Sequence, residues 1–242
     1  MDMTRTKNRI AIATTSTMGL NGRGNTVYHY PAMYPHCLIA GRTGSGKSYA
    51  ARSWLYNFLQ VYPDAKLTLL DFKGEFGFSE GKRYFCMERC FDGLETFLKE
   101  MIDRQAVRTI PKTPWLLYID ELAAIVNYLE KKHADKFRAR LSTIYMLSRA
   151  QNMFTLAGVQ RADASTWTAG ARDNLGLVML LGELSKETCD MFSLDKSKLG
   201  ACPYPGMGHV LVNGSPDSLM RIHTLSISDM RRVDQAILAA LS

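Results

Sequence analysis

The feature that most constrains this chain is a glycine-rich octapeptide between an apolar run and a segment of helical period. Its spacing is G-x-x-x-x-G-K-[ST], the pattern of a phosphate-binding loop. Its glycines allow positive φ, so backbone N–H groups can point at the phosphates of a nucleotide such as ATP. The lysine would neutralise the β- and γ-phosphates, and the serine would bind Mg²⁺. The alternative is a glycine turn without a ligand. The octapeptide consists of Gly41, Arg42, Thr43, Gly44, Ser45, Gly46, Lys47 and Ser48.

Two adjacent carboxylates end the apolar run at residues 115–119. At the carboxyl end of a central strand, Asp120 can hold Mg²⁺ through its water shell. Glu121 can polarise a water molecule for in-line attack on the γ-phosphate. The alternative is a helix that begins with acids because they complement its dipole. After a phosphate-binding loop, the pair favours hydrolysis over nucleotide binding alone.

A single amide follows the next apolar run, at residues 154–159. Gln160 could contact both the attacking water and the γ-phosphate, and it would then sense which nucleotide is bound. The alternative is an ordinary polar residue at a strand end.

Short β-rich runs alternate with longer segments of helical period, which is typical of βα units and a largely parallel sheet in an α/β fold. Residues 1–35 are predicted to form an amino-terminal arm or edge hairpin, or else an expendable tail, and residues 36–242 the main domain. Strands are predicted at 37–40, 66–70, 115–119, 154–159, 177–181 and 209–212. Helices are predicted at 47–60, 90–105, 121–129, 135–150, 186–192 and 228–240.

Composition excludes several other classes of protein. With 46% hydrophobic and 22% charged residues in 242, the chain can build a sizeable core and is not disordered. Its apolar runs fall far short of the roughly 20 residues of a membrane-spanning helix. Five scattered cysteines fit reduced thiols better than a disulfide framework. A cytoplasmic protein without a membrane span is therefore expected.

Four segments occur in a fixed order: P-H-C-L-I-A-G at 35–41 with the octapeptide, L-L-D-F-K-G-E at 69–75, I-D-E-L at 119–122, and S-R-A at 148–150 through V-Q-R at 159–161. Together they resemble the FtsK/SpoIIIE branch of the FtsK–HerA superfamily. The chain departs from the family at Phe72, where the family has proline in its D-P-K strand end. It departs again in N-L-G-L-V at residues 174–178, where the family often has N-I-P-T-R and thus an arginine.

The resemblance implies a RecA-like (ASCE) P-loop NTPase that assembles into a ring, commonly a homo-hexamer. Such a ring hydrolyses ATP between subunits and pulls double-stranded DNA through its centre. The resemblance also implies that Lys47, Ser48, Asp120, Glu121 and Gln160 have the roles described above. The arginine that acts in trans is left open between three candidates, which are Arg149, Arg161 and Arg172.

The biological role is narrowed by what the chain lacks. Without membrane helices or a tail long enough for a winged-helix domain, a compact motor of a plasmid, integrative element or virus fits best. It would serve DNA transfer, replication or genome packaging, with a relaxase, a replication initiator or a capsid protein as partner. A protein-export ATPase and a nucleotide-gated assembly module are the alternatives.

A basic face is the candidate DNA contact. Lys132, Lys136 and Arg140 are spaced four residues apart on one predicted helix, and each could touch a phosphate. The alternative is a solvated helix flank, because acidic residues are interspersed. A basic amino-terminal segment with Arg5, Lys7 and Arg9 is open to the same two interpretations.

Overall fold

The computed structural model describes residues 8–18, 24–107, 113–167, 170–213 and 215–242. Arg5 and Lys7 lie outside the described residues. The strands of the described part are β1 (Ile10–Met18), β2 (Gly24–His29), β3 (His36–Gly41), β4 (Lys66–Asp71), β5 (Tyr84–Cys86), β6 (Trp115–Asp120), β7 (Met153–Val159), β8 (Leu175–Leu181), β9 (Met207–Val212) and β10 (Met220–Thr224). Its α-helices are α1 (Lys47–Val61), α2 (Cys90–Ala106), α3 (Leu122–Tyr128), α4 (Lys131–Leu147), α5 (Lys186–Met191) and α6 (Met230–Leu241).

All these strands belong to one sheet of order β2-β1-β10-β9-β8-β3-β7-β6-β4-β5. The strands from β8 to β5 in that order are parallel, and the four beyond β8 are antiparallel. Strand β7 separates β3, which leads into the octapeptide, from β6, which ends in the acidic pair. Because parallel strands place their carboxyl ends at one edge of a sheet, these segments converge there.

Helices cover both faces of the sheet. Strands β3, β6, β7 and β8 are buried along their whole length, which explains their nearly continuous apolar sequences. Helices α1 and α6 cover one face, where Trp54 and Phe58 pack. Helices α2, α3, α4 and α5 cover the other, where Phe97 and Phe137 pack. The site edge thus rests on a rigid three-layer core.

The predicted α/β fold with a mostly parallel sheet flanked by helices is confirmed. Strands β5 and β10 were not predicted, because β5 has three residues and β10 alternates apolar and polar residues without a continuous apolar run. The predicted helix at 135–150 begins earlier, at Lys131, and ends in a 3₁₀ turn at Ser148–Gln151. No helix in the described ranges is long and apolar enough to cross a bilayer.

The amino-terminal segment forms an antiparallel pair at one end of the sheet. Strand β2 pairs only with β1 in the described strand order, and β1 pairs with β10 on its other side. The prediction of an amino-terminal arm or edge hairpin concerned residues 1–35, part of which lie outside the described residues, and it stays a prediction. The division of the chain at residue 35 stays a prediction.

Candidate active site

The octapeptide forms a tight turn between β3 and α1. Gly44 has φ 81° and Gly46, the N-cap of α1, has φ 90°, so both adopt the left-handed conformation that favours glycine. A Cβ at Gly44 would meet nothing within 4 Å, whereas one at Gly46 would lie 2.8 Å from the nitrogen of Gly206. The turn therefore presents bare backbone at the positive end of α1, an arrangement that suits a phosphate.

A second turn fastens the octapeptide from behind. The N–H of Gly206 donates to the carbonyl of Ser45 at 2.8 Å, and the N–H of Thr224 donates to the carbonyl of Gly206 at 2.8 Å. The octapeptide is thereby tied to β9 and β10. Gly206 was not predicted as a site residue, although its position after a proline-rich turn marked it as a turn glycine.

The octapeptide lysine lies between the two predicted carboxylates. Lys47 Nζ is 2.6 Å from Glu121 Oε1 and 3.3 Å from Asp120 Oδ1. All three residues are buried, with exposed fractions of 7% for Lys47, 1% for Asp120 and 4% for Glu121. Because a buried charge is costly without a partner, this contact is an essential part of the site. The structure thus brings the octapeptide lysine to two adjacent carboxylates that lie more than 70 residues later in the sequence.

A buried tyrosine supports the first carboxylate. Tyr118 donates its hydroxyl to Asp120 Oδ1 at 2.8 Å. Burial raises the pKa of Asp120, while Lys47 and the Tyr118 hydrogen bond act in the opposite direction. Burial and then the Asp120 charge raise the pKa of Tyr118 well above its usual range, so its hydroxyl stays protonated. Its position two residues before Asp120, on the same strand face, was the missed sequence signal.

Glu121 has a strained backbone, and its side chain contacts two lysines. Its φ is 57°, in a left-handed conformation that costs a non-glycine residue ~1 kcal/mol. It occupies the N-cap position of α3, but its side chain makes no capping hydrogen bond. The carboxylate instead contacts Lys47, and Lys73 Nζ lies 3.6 Å from the same Oε1. Glu121 also lies at the start of α3, where an acid complements the helix dipole, so its catalytic role stays a prediction.

The intervening strand leaves space for this cluster. A Cβ on Gly158 of β7 would lie 3.2 Å from Asp120 Oδ1 and 3.5 Å from Lys47 Nζ. Glycine within a strand often marks such a close approach, and this signal was available in the sequence.

The oxygen donors of the site fit Mg²⁺. Asp120 offers a buried carboxylate and Ser48 a hydroxyl on the first turn of α1, both hard ligands that magnesium prefers. Burial alone disfavours the charged form of Asp120, and a divalent cation would offset this. When bound, Mg²⁺ would supply positive charge that offsets the negative charge of the phosphates.

Gln160 and Arg161 lie at the same edge of the sheet as the octapeptide. Gln160 is exposed directly after β7 and lines a shallow cleft with Gly41 and Arg42. Arg161 lines the same cleft, and its guanidinium is 3.5 Å from Asp163 and 3.8 Å from Glu187.

The other two candidate arginines lie at the opposite edge. Arg149 is exposed in the 3₁₀ turn that precedes β7. Arg172 lies in the turn before β8, 3.7 Å from Asp173. The two turns precede β7 and β8, so the length of a strand separates them from this chain's own octapeptide edge.

Two of the three candidate DNA contacts are engaged in ion pairs. Lys136 and Arg140 of α4 each lie 3.3 Å from the same carboxylate oxygen of Glu95 in α2. Lys132 is exposed near the start of α4. The single Glu95 carboxylate offsets one of the three positive charges of this face, and the contact of the face with DNA stays a prediction.

The sheet order, the phosphate-binding turn and the acidic pair define a P-loop ATPase with a RecA-like core. The family described as "Helicase HerA, central domain" matches residues 27–197, so this chain belongs to that family. The predicted membership in the FtsK–HerA superfamily is confirmed.

Individual relatives agree with this assignment. The chain is 26% identical over 181 residues to the FtsK domain-containing protein YdcQ of Bacillus subtilis, which covers 68% of this chain and 38% of YdcQ. The pCW3 conjugation coupling protein TcpA, solved with ATPγS, is 21% identical with a TM-score of 0.70, over 99% of this chain and 73% of TcpA. The Type VII secretion ATPase EccC of Thermomonospora curvata is 18% identical with a TM-score of 0.70, over 98% of this chain and 31% of EccC. The chain thus spans less than half the length of YdcQ and EccC, and the two structures show the fold alone.

Proposed function

We propose that this chain is a motor that hydrolyses ATP to move double-stranded DNA for a plasmid, integrative element or virus. The observation that carries the ATPase part is the contact of 2.6 Å between Lys47 Nζ and Glu121 Oε1. It joins the phosphate-binding residue and the proposed base in one buried cluster. A module that only bound nucleotide would have no need of this second acid beside the phosphate-binding lysine.

The proposed reaction uses the described residues as follows. The octapeptide N–H groups and Lys47 bind the phosphates, and Asp120 and Ser48 hold Mg²⁺. Glu121 accepts a proton from a water molecule whose oxygen bonds to the γ-phosphorus. The bond from that phosphorus to the β–γ bridging oxygen breaks, which releases ADP and phosphate. Gln160, at the same edge, would report whether the γ-phosphate is present.

The DNA part of the proposal is supported by the family and by two named relatives. The family is named for a helicase domain, YdcQ carries an FtsK domain, and TcpA is a conjugation coupling protein. The exposed Lys132 and the neighbouring Lys136 and Arg140 remain the proposed phosphate contacts. A relaxase, replication initiator or capsid protein would be the partner in each respective process.

A ring, proposed to be a homo-hexamer, would complete the site from a neighbouring subunit. We propose a head-to-tail ring in which the subunit edge opposite the octapeptide faces the next subunit's nucleotide. Arg149 and Arg172 lie at that opposite edge, whereas Arg161 lies beside its own octapeptide. We therefore favour Arg149 and Arg172 over Arg161 as the arginine that acts in trans.

A second candidate function is protein export, because EccC, a secretion ATPase, has the same fold over 98% of this chain. The experiment that separates the two measures ATP turnover with Mg²⁺ alone, with duplex DNA, and with peptides from a candidate export substrate. The DNA motor predicts stimulation by DNA that weakens as salt is raised. Stimulation by peptide and none by DNA, from low to moderate salt, would contradict the DNA motor and favour export. Glu121→Gln in the same assay gives the background rate.

A further inference from the structure

A lysine in the loop after β4, Lys73, lies beside the proposed general base, Glu121. Lys73 Nζ lies 3.6 Å from Glu121 Oε1, the same oxygen that contacts Lys47. The Lys73 side chain is 35% exposed and lies also 4.0 Å from Glu75 Oε1, whose side chain is 61% exposed. Because exposed ion pairs contribute little, the buried Glu121 is the partner that matters.

The loop that carries Lys73 is held by a dedicated set of hydrogen bonds. Asp71 accepts N–H hydrogen bonds from Gly74 at 2.9 Å and from Phe76 at 2.8 Å. The hydroxyl of Tyr84 donates to Asp71 at 2.6 Å, which ties the loop to β5. The completely buried Asp71 thus fixes both sides of Lys73 in the chain. A merely solvated lysine would not require such support.

The two lysines at Glu121 have different positions relative to a nucleotide. Lys47 belongs to the octapeptide and would turn its ammonium to the phosphates when ATP binds. Glu121 would then lose its shorter contact while a polyanion arrives next to it, and repulsion would push the carboxylate away. Lys73, which belongs to a different loop, would remain beside Glu121.

We infer that Lys73 is a positioning residue that holds the Glu121 carboxylate toward the attacking water once ATP has drawn Lys47 away. This inference rests on the proposed ATP hydrolysis and assigns a role to the lysine of the D-F-K-G-E segment. Lys73 itself neither contacts the phosphates nor transfers a proton. Its removal should therefore affect the chemical step and leave nucleotide binding intact.

The test compares Lys73→Met with Lys73→Arg in steady-state ATP hydrolysis and in binding of a fluorescent ATP analogue. Lys73→Met should lower kcat about tenfold or more, part of the roughly 10²–10⁴-fold that a general base contributes. KM and analogue affinity should stay within about twofold, because the lost contact acts after binding. Lys73→Arg should restore most of kcat because it keeps the charge. Lys82→Met, an exposed lysine before β5, is the matched control and should behave as the unmodified chain.

A double variant distinguishes a positioning role of Lys73 from a general loss of protein structure. In a Glu121→Gln background, Lys73→Met should cause no further loss, because the carboxylate that it positions is gone. An equal loss in both backgrounds, an unchanged kcat in Lys73→Met, or a raised KM in place of a lowered kcat would overturn the inference. If Lys73→Met does not fold, as judged by thermal unfolding, Lys73→Gln takes its place.

The same experiment distinguishes the two levels of the proposal. An unmodified chain that hydrolyses no ATP would remove the proposed function, and the role of Lys73 with it. An active chain whose Lys73→Met variant keeps its full kcat would remove only the role of Lys73.

Discussion

At the scale of single residues, the site is a cluster of charges that stabilise one another. Lys47 is paired with two buried carboxylates, and Tyr118 and Gly158 shape the space around Asp120. Removal of Lys47 leaves two buried carboxylates without their shared cation, and breaking a buried pair in this way commonly costs ~3–5 kcal/mol. Activity changes in variants of these residues must therefore be compared with their stability.

Variants of Lys47 and Glu121 should lose different steps of the ATPase reaction. Lys47→Ala should abolish ATP binding, because the phosphates lose their cation. Glu121→Gln should bind ATP and trap it, with hydrolysis lowered roughly 10²–10⁴-fold by the loss of water activation. Binding of a fluorescent ATP analogue and single-turnover hydrolysis measure the two effects. Unchanged turnover in Glu121→Gln would instead support the nucleotide-gated assembly module.

At the scale of elements, the octapeptide depends on the turn that begins β9. Gly206 has φ 83°, and a Cβ there would lie 2.5 Å from Thr224 Oγ1. Its N–H holds the carbonyl of Ser45, so a shift of this turn moves the phosphate-binding loop. Strands β9 and β10 thus hold the phosphate-binding loop in place, although no residue of either strand takes part in the proposed reaction.

We expect Gly206→Ala to weaken ATP binding several-fold and to lower stability by at least ~1 kcal/mol, because strain at positive φ adds to the close contact of its Cβ with Thr224. Gly170→Ala is the control for the φ strain alone, since Gly170 has the same φ of 83° but precedes β8 at the opposite edge, and a Cβ there would lie 3.5 Å from Met146 Cε. It should lose less stability and keep its ATP affinity. Isothermal titration with a non-hydrolysable analogue and thermal unfolding provide the two readouts. Equal loss of affinity in both variants would contradict the supporting role.

At the scale of the whole molecule, two buried histidines couple folding to pH. Burial lowers the pKa of His29 to about 4, although its hydrogen bond to the carbonyl of Tyr34 opposes the shift. Burial likewise lowers the pKa of His36 to about 3. Both imidazoles thus stay neutral in the folded chain, whereas in the unfolded chain they bind protons below a pH of about 6.5.

The free energy of unfolding should therefore be constant above pH 6.5 for these groups and fall as the pH drops from 6.5 toward 4. The slope is on the order of 1 kcal/mol per pH unit for each histidine, because the unfolded state binds the extra proton. Urea unfolding at several pH values measures it. His29→Gln should flatten the slope, and His133→Gln, at an exposed position, should not. A slope that is the same in both variants would contradict this origin.

The sequence alone determined the local features of this protein. Apolar runs and helical periods predicted the parallel strands β3, β4, β6, β7 and β8 and the antiparallel strand β9. The octapeptide and acidic pair predicted Lys47, Asp120 and Glu121 as site residues. These signals are local, because spacing within a few residues fixes a strand, a turn or a helix start. Strand β10 was not predicted, because its five residues alternate apolar and polar side chains instead of forming a continuous apolar run, and its place in the sheet depends on pairing with β1 and β9.

Only the tertiary structure decided how distant residues combine. The strand order placed only β7 between β3, which leads to Lys47, and β6, which leads to Glu121. It also brought Lys73, after β4, to the same Glu121 carboxylate. The packing of α2 against α4 gave Lys136 and Arg140 a shared partner in Glu95. Such contacts join residues separated by some 40 or more positions, so no local spacing encodes them. They follow from which strands pair and which helices pack, and those choices depend on the burial of the whole core.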